Sequence, residues 1–155
     1  MLKRDNSWLL VVVCVVVSVL VGSVFGRFVL SPVRVEGESM KDTYQEGNLE
    51  WCYHFGSIDR GDVVVCNVEG KQLIKRVIGM PGDTIRVDAS GVYINDELYK
   101  ESYLKDGESF FGGELSDGIT LGSDEYVVLG DNRLVSRDSR SFGKIKGNQI
   151  IGVVL

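Results

Sequence analysis

From Asn6 to Gly26 the chain runs for 21 residues without a charged side chain, and most of them are Val or Leu. As a helix rising about 1.5 Å per residue, such a run spans a hydrocarbon core of roughly 30 Å. Lipid offers backbone groups no partners, so helix is the favoured state there even for Val. Trp8 near the start suits the membrane interface, and Lys3 and Arg4 ahead of the run favour a cytoplasmic amino terminus. A cleaved export peptide is the competing reading. Its apolar region is shorter, about 7–15 residues, and ends in a small-x-small site, which Gly22-Ser23-Val24-Phe25-Gly26 matches weakly. The expected organisation is a cytoplasmic end at residues 1–5 and a single transmembrane helix with its juxtamembrane end at 6–30. An extracytoplasmic domain follows at 31–155, tethered to the lipid bilayer through residues 27–33.

The remaining residues have a different character. Residues 31–155 carry 14 basic and 21 acidic side chains, a net charge of −7. An acidic body is poorly suited to tracking phosphates, so no nucleic-acid partner is expected. Three cysteines do not make a disulfide scaffold. Cys14 lies in the apolar run, while Cys52 and Cys66 can either pair or stay free in a core. His54 is the one histidine; it leaves little room for a metal site and allows at most one catalytic triad. Neither metal nor cofactor is expected, and oligomeric state is not legible.

The body contains one alanine, Ala89, and many short Val/Ile/Tyr runs divided by glycines. Strands are expected at 62–68, 73–78, 124–129 and 149–154. Residues 84–88 and 91–95 alternate apolar and polar, which predicts a hairpin burying Ile85, Val87, Val92 and Ile94. Pro81-Gly82 and Asn95-Asp96 mark turns. Residues 106–122, rich in Gly, Ser and acids, read as a surface loop or extension. The fold class expected is mostly β: one antiparallel β domain behind one amino-terminal transmembrane helix.

Three segments carry candidate chemistry. Val35-Glu36-Gly37-Glu38-Ser39-Met40 sets a glycine two places before a serine, allowing positive φ or close backbone approach; alone it is an ordinary polar turn. In Lys75-Arg76-Val77-Ile78-Gly79-Met80-Pro81-Gly82-Asp83, alternation puts Lys75 on the apolar face of Leu73 and Val77. Burying an ammonium is costly, so this lysine either snorkels to water or has a lowered pKa that suits a base. Residues 130–143 contain nine Asp, Asn, Arg or Ser among fourteen, directly after a core strand. That density suggests a buried hydrogen-bond network, in which Asp138 and Arg140 can pair; a solvated loop is the plainer reading.

Taken together and in this order, the segments resemble the bacterial type I signal peptidases, membrane proteases with a serine–lysine dyad. Gly37-x-Ser39-Met40 is similar to the nucleophile box and Arg60-Gly61-Asp62-Val63-Val64 to the strand box after it. Residues 75–83 are similar to the lysine box. Gly130-Asp131-Asn132-Arg133-x-x-Ser136-x-Asp138-Ser139-Arg140 is similar to the final box. The resemblance implies Ser39 as nucleophile and Lys75 as general base, with no histidine needed. It implies Ser136 as the hydroxyl that orients the lysine, and Asp131, Asp138 and Arg140 as support. Gly37 stands where some members have an oxyanion-binding serine, so only the Ser39 N–H is an evident donor. The implied substrates are signal peptides of exported preproteins, with small residues at the first and third positions before the cut. Val35, Met40 and Ile74 are the expected pocket residues, with the substrate adding a strand beside 34–38 or 72–75.

Some positions depart from the family pattern. Asp42 replaces a usual proline, Leu134-Val135 replaces a more polar pair, and the short insertion before the last box resembles compact Gram-positive enzymes. Rival readings are a membrane-tethered, non-catalytic peptide-binding relative, a self-cleaving repressor-type Ser–Lys peptidase, and a hydrolase built on Cys52 or a serine with His54.

Overall fold

The computed structural model describes residues 7–41, 43–104 and 111–155. Lys3, Arg4, Asp42 and the first part of the expected 106–122 loop lie outside the described residues.

Helix α1 (Ser7–Val29) is 23 residues long. Its apolar side chains described between Trp8 and Val21 are all exposed, the pattern of a helix that has no polar side to turn to water. Described side chains within it run unbroken only from Val11 to Ser23, and among the described residues no helix is long and apolar enough to cross a membrane. Strand β1 (Leu30–Arg34) starts directly after the helix. Residues 27–33, the expected tether, are the end of that helix and the start of that strand. The His54 N–H donates to the Val29 carbonyl at 3.1 Å, holding the junction against the domain.

The remaining strands are β2 (Leu49–Tyr53), β3 (Val63–Val68), β4 (Lys71–Gly79), β5 (Thr84–Asp88), β6 (Gly91–Ile94), β7 (Glu97–Leu98), β8 (Ile119–Thr120), β9 (Glu125–Leu129), β10 (Ile145–Lys146) and β11 (Ile150–Val154), with a one-turn helix α2 (Ser139–Phe142). They form a seven-stranded sheet ordered β1-β2-β11-β3-β4-β9-β10 and a four-stranded sheet ordered β7-β6-β5-β8. Every described pairing is antiparallel. The expected strands and the 84–95 hairpin are all present.

Alternation explains how the layers meet. Ile85, Val87, Val92 and Ile94 of the small sheet pack on Ile78, Val127 and Leu129 of the large one. Leu115 and Leu121 enter the same core, so residues 111–122 are not a surface loop. They include a 3₁₀ turn and β8, and their two leucines close the gap between the sheets. Cys52 and Cys66 are both free and buried, separated by β11. Burial pushes the Cys66 thiol up to about 11, so it behaves as a small apolar filler. His54 bonds Ser31 Oγ through Nε2 at 2.9 Å and the Ile151 carbonyl through Nδ1 at 3.0 Å.

Candidate active site

Ser39 lies in the turn between β1 and β2 and Lys75 in the middle of β4, 36 residues apart in sequence. The Lys75 Nζ donates to Ser39 Oγ at 2.7 Å and to the Ile74 carbonyl at 2.8 Å. Lys75 is 2% exposed, so it does not snorkel. Burial lowers its pKa from the ordinary 10.5; the charges of Asp138, Cys66 and Asp131 only partly offset that. Among the described residues it makes no ion pair.

Local sequence sets the nucleophile turn. Gly37 has φ +77°, a conformation open to glycine and costly for other residues. The reversal carries the chain out of β1 and presents Ser39 toward β4. Met40 and Val35 fall inward, 1% and 2% exposed. Both expected pocket residues are buried, and neither is among the side chains that line the cleft beside Ser39; Met40 Sδ accepts from the Asp131 N–H at 3.4 Å. Ile74 does line the cleft. That cleft, of about 290 Å³, runs from Ser39 and Lys75 between Pro32–Arg34 and Glu36 on one side and Gln72–Ile74 on the other.

In the polar segment after β9, Asp131, Arg133, Asp138, Ser139 and Arg140 are buried and hydrogen-bonded. Asp138 takes two bonds from Arg140, each 2.8 Å, and one from the Gly130 N–H at 3.0 Å. Burial alone would raise the pKa of Asp138, but Arg140 and the Gly130 amide outweigh it and hold the carboxylate below its ordinary range. Asp131, fully buried, pairs with the Arg76 Nε and Nη2 at 2.9 and 2.6 Å and accepts a bond from the Thr43 hydroxyl. Ser136 does not reach the lysine as expected. Its Oγ is buried and no atom meets hydrogen-bond geometry with it, although it lies close enough to Asp138 to favour the ionised carboxylate.

Several contributors were not singled out by the sequence reading. The Asn132 N–H donates to the Ser39 carbonyl at 3.0 Å and its Nδ2 to the Glu38 carbonyl at 3.1 Å, clamping the nucleophile turn. Arg76 and Thr43 carry Asp131, and Arg133 pairs with Glu101. Arg76 and Asn132 sit inside the quoted boxes, so adjacency to Lys75 and Asp131 was the available signal. Gly130 is equally constrained: a Cβ there would collide with Ser136 Oγ and lie 2.6 Å from the Ser39 carbonyl.

A family described as "Signal peptidase, peptidase S26" matches residues 6–155. Signal peptidase I of Bacillus caldolyticus is 39% identical over 170 residues, covering 98% of this chain and 89% of that protein. Signal peptidase I of Streptococcus pneumoniae serotype 4 is 36% identical over 163 residues, covering 81% and 80%. Signal peptidase IB of Staphylococcus aureus strain COL is 33% identical over 175 residues, covering 99% and 89%. A crystal structure of a signal peptidase I from Enterococcus faecalis V583 superposes with a TM-score of 0.55 at 30% identity, covering 64% of this chain and 98% of that one. With its β architecture and near-complete coverage by these relatives, the chain belongs to the bacterial type I signal peptidases of peptidase family S26.

Proposed function

We propose that this serine endopeptidase removes amino-terminal signal peptides from exported preproteins with Ser39 as nucleophile and Lys75 as general base. The observation that carries the reading is the 2.7 Å contact between Lys75 Nζ and Ser39 Oγ at a buried lysine. A serine hydroxyl is a weak nucleophile until a base takes its proton. Free lysine is almost wholly protonated at pH 7; burial shifts it toward the neutral amine that can accept. Ser39 Oγ attacks the scissile carbonyl as its proton passes to Lys75 Nζ. Lys75 then protonates the leaving amine, and water releases the acyl group by the reverse transfer. The Ser39 N–H has no partner among the described residues and is free to hold the oxyanion. Asp131, Asp138 and Arg140 hold the segment that fixes Ser39, and Gly37 shapes its turn.

The chain organisation belongs to the same reading. The 23-residue backbone helix, about 35 Å long at 1.5 Å per residue, supports a single membrane anchor at 6–30. Lys3 and Arg4 support a cytoplasmic end at 1–5, with domain 31–155 outside. Because β1 follows the helix without a linker, the cleft end at Pro32 lies three residues past it. The site is thereby held close to the bilayer from which a preprotein's cleavage region emerges. Incubating the membrane-embedded protein with a radiolabelled preprotein, beside Ser39→Ala and Lys75→Ala, tests this. Cleavage by wild type alone supports the dyad; full activity in either variant ends it.

A further inference from the structure

Along the cleft wall beside Ser39, inward and outward side chains alternate. Val35 is buried and Val33 is half-buried, packing against the core while also lining the cleft; Arg34 and Glu36 are exposed and line the cleft. Neither Arg34 nor Glu36 has a side-chain hydrogen bond or ion pair among the described residues. Most charges around the site are spent on partners: Arg76 on Asp131, Arg140 on Asp138, and Lys41 on Glu38. The cleft wall thus keeps two uncommitted charges of opposite sign two residues apart, Glu36 three residues and Arg34 five residues before Ser39.

An extended substrate laid along this wall places alternate side chains on one side, with the same two-residue period. If small residues at the first and third positions before the cut face the domain, the second and fourth face outward with Arg34 and Glu36. We infer that Glu36 and Arg34 form a charge-reading pair that selects substrates with a basic second and an acidic fourth residue before the cut. Opposite charges on neighbouring strands attract and like charges repel, each pair being worth a modest amount at a solvated surface. This rests on the proposed peptidase activity and names a preference within it.

The test uses the full chain in detergent micelles and two peptides that differ only in those positions. One carries Lys second and Asp fourth; the other carries Asp second and Lys fourth. Both have Ala first and third. The readout is the ratio of their kcat/KM values, which is insensitive to how much enzyme is folded. Wild type is expected to favour the first peptide by on the order of tenfold, mainly through KM and less so at high salt. Arg34→Glu combined with Glu36→Arg is expected to reverse the ratio. A ratio near one in wild type, or a preference that survives the double reversal, overturns the inference while leaving the peptidase reading intact. Failure to cleave either peptide counts against the peptidase reading itself.

Discussion

Two kinds of buried cation around the site are treated in opposite ways. Arg140 is 8% exposed and clamped by both oxygens of Asp138; Arg133 is 3% exposed and held by Glu101; the Arg76 guanidinium faces Asp131. Each guanidinium has a carboxylate in bidentate reach, so it stays charged and acts as a fixed strut. Lys75 is buried as deeply but meets a hydroxyl and a carbonyl. Desolvation therefore has no direct ion pair to oppose it, and the amine is pushed toward neutrality. Burial with a carboxylate builds scaffold; burial without one builds a base.

The strongest way to break this contrast is to erase the base. Ser39→Ala and Lys75→Ala are each expected to lower single-turnover cleavage of a preprotein by at least 10²–10⁴-fold, roughly the range ascribed to a positioned base, with circular dichroism unchanged. Lys75→Arg is expected to fail as well, because arginine stays protonated. On the scaffold side, Asp138→Asn leaves Arg140 buried without its carboxylate. It is expected to cost about 3–5 kcal/mol in denaturant unfolding, a loss of stability before any loss of chemistry. As Asp138 is held ionised below its ordinary pKa, its contribution is present above pH 3.8 and is lost as pH falls through the lower folded value. Gly130→Ala forces a methyl against Ser136 and the Ser39 carbonyl; about 1–3 kcal/mol of destabilisation and a fall in kcat are expected. Ser136→Ala is the mildest. With no bond of its own to lose, it is expected to change stability by less than about 1 kcal/mol and kcat less than any dyad substitution.

Periodicity and local chemistry explain what was legible. Most strands announced themselves as short Val/Ile/Tyr runs between glycines and the 84–95 hairpin through two-residue alternation, and Lys75 stood out because a lysine interrupted an apolar face. Leu115 and Leu121 were hidden because they enter the core from a Gly- and acid-rich segment with no period of its own. Val35 and Met40 were expected beside the substrate from adjacency to Ser39, which does not say which way a turn points its side chains; folding buries both. Ser136 was assigned to Lys75 by resemblance, whereas packing sets its hydroxyl against Gly130 and Asp138. Asn132 was invisible as a clamp because its partners are carbonyls 93 and 94 residues earlier, which only the folded chain brings to it.

The contrast between lysine and arginine is most directly tested by titrating Lys75 itself. In full-length protein carrying ¹³C-labelled lysine, with Lys75→Arg assigning the resonance, the Cε shift can be followed from pH 5 to 11. A midpoint clearly below the ordinary 10.5 is expected, with kcat/KM rising through the same range. A midpoint at or above 10.5 would contradict the account, because Lys75 would then be one more buried cation and not the base.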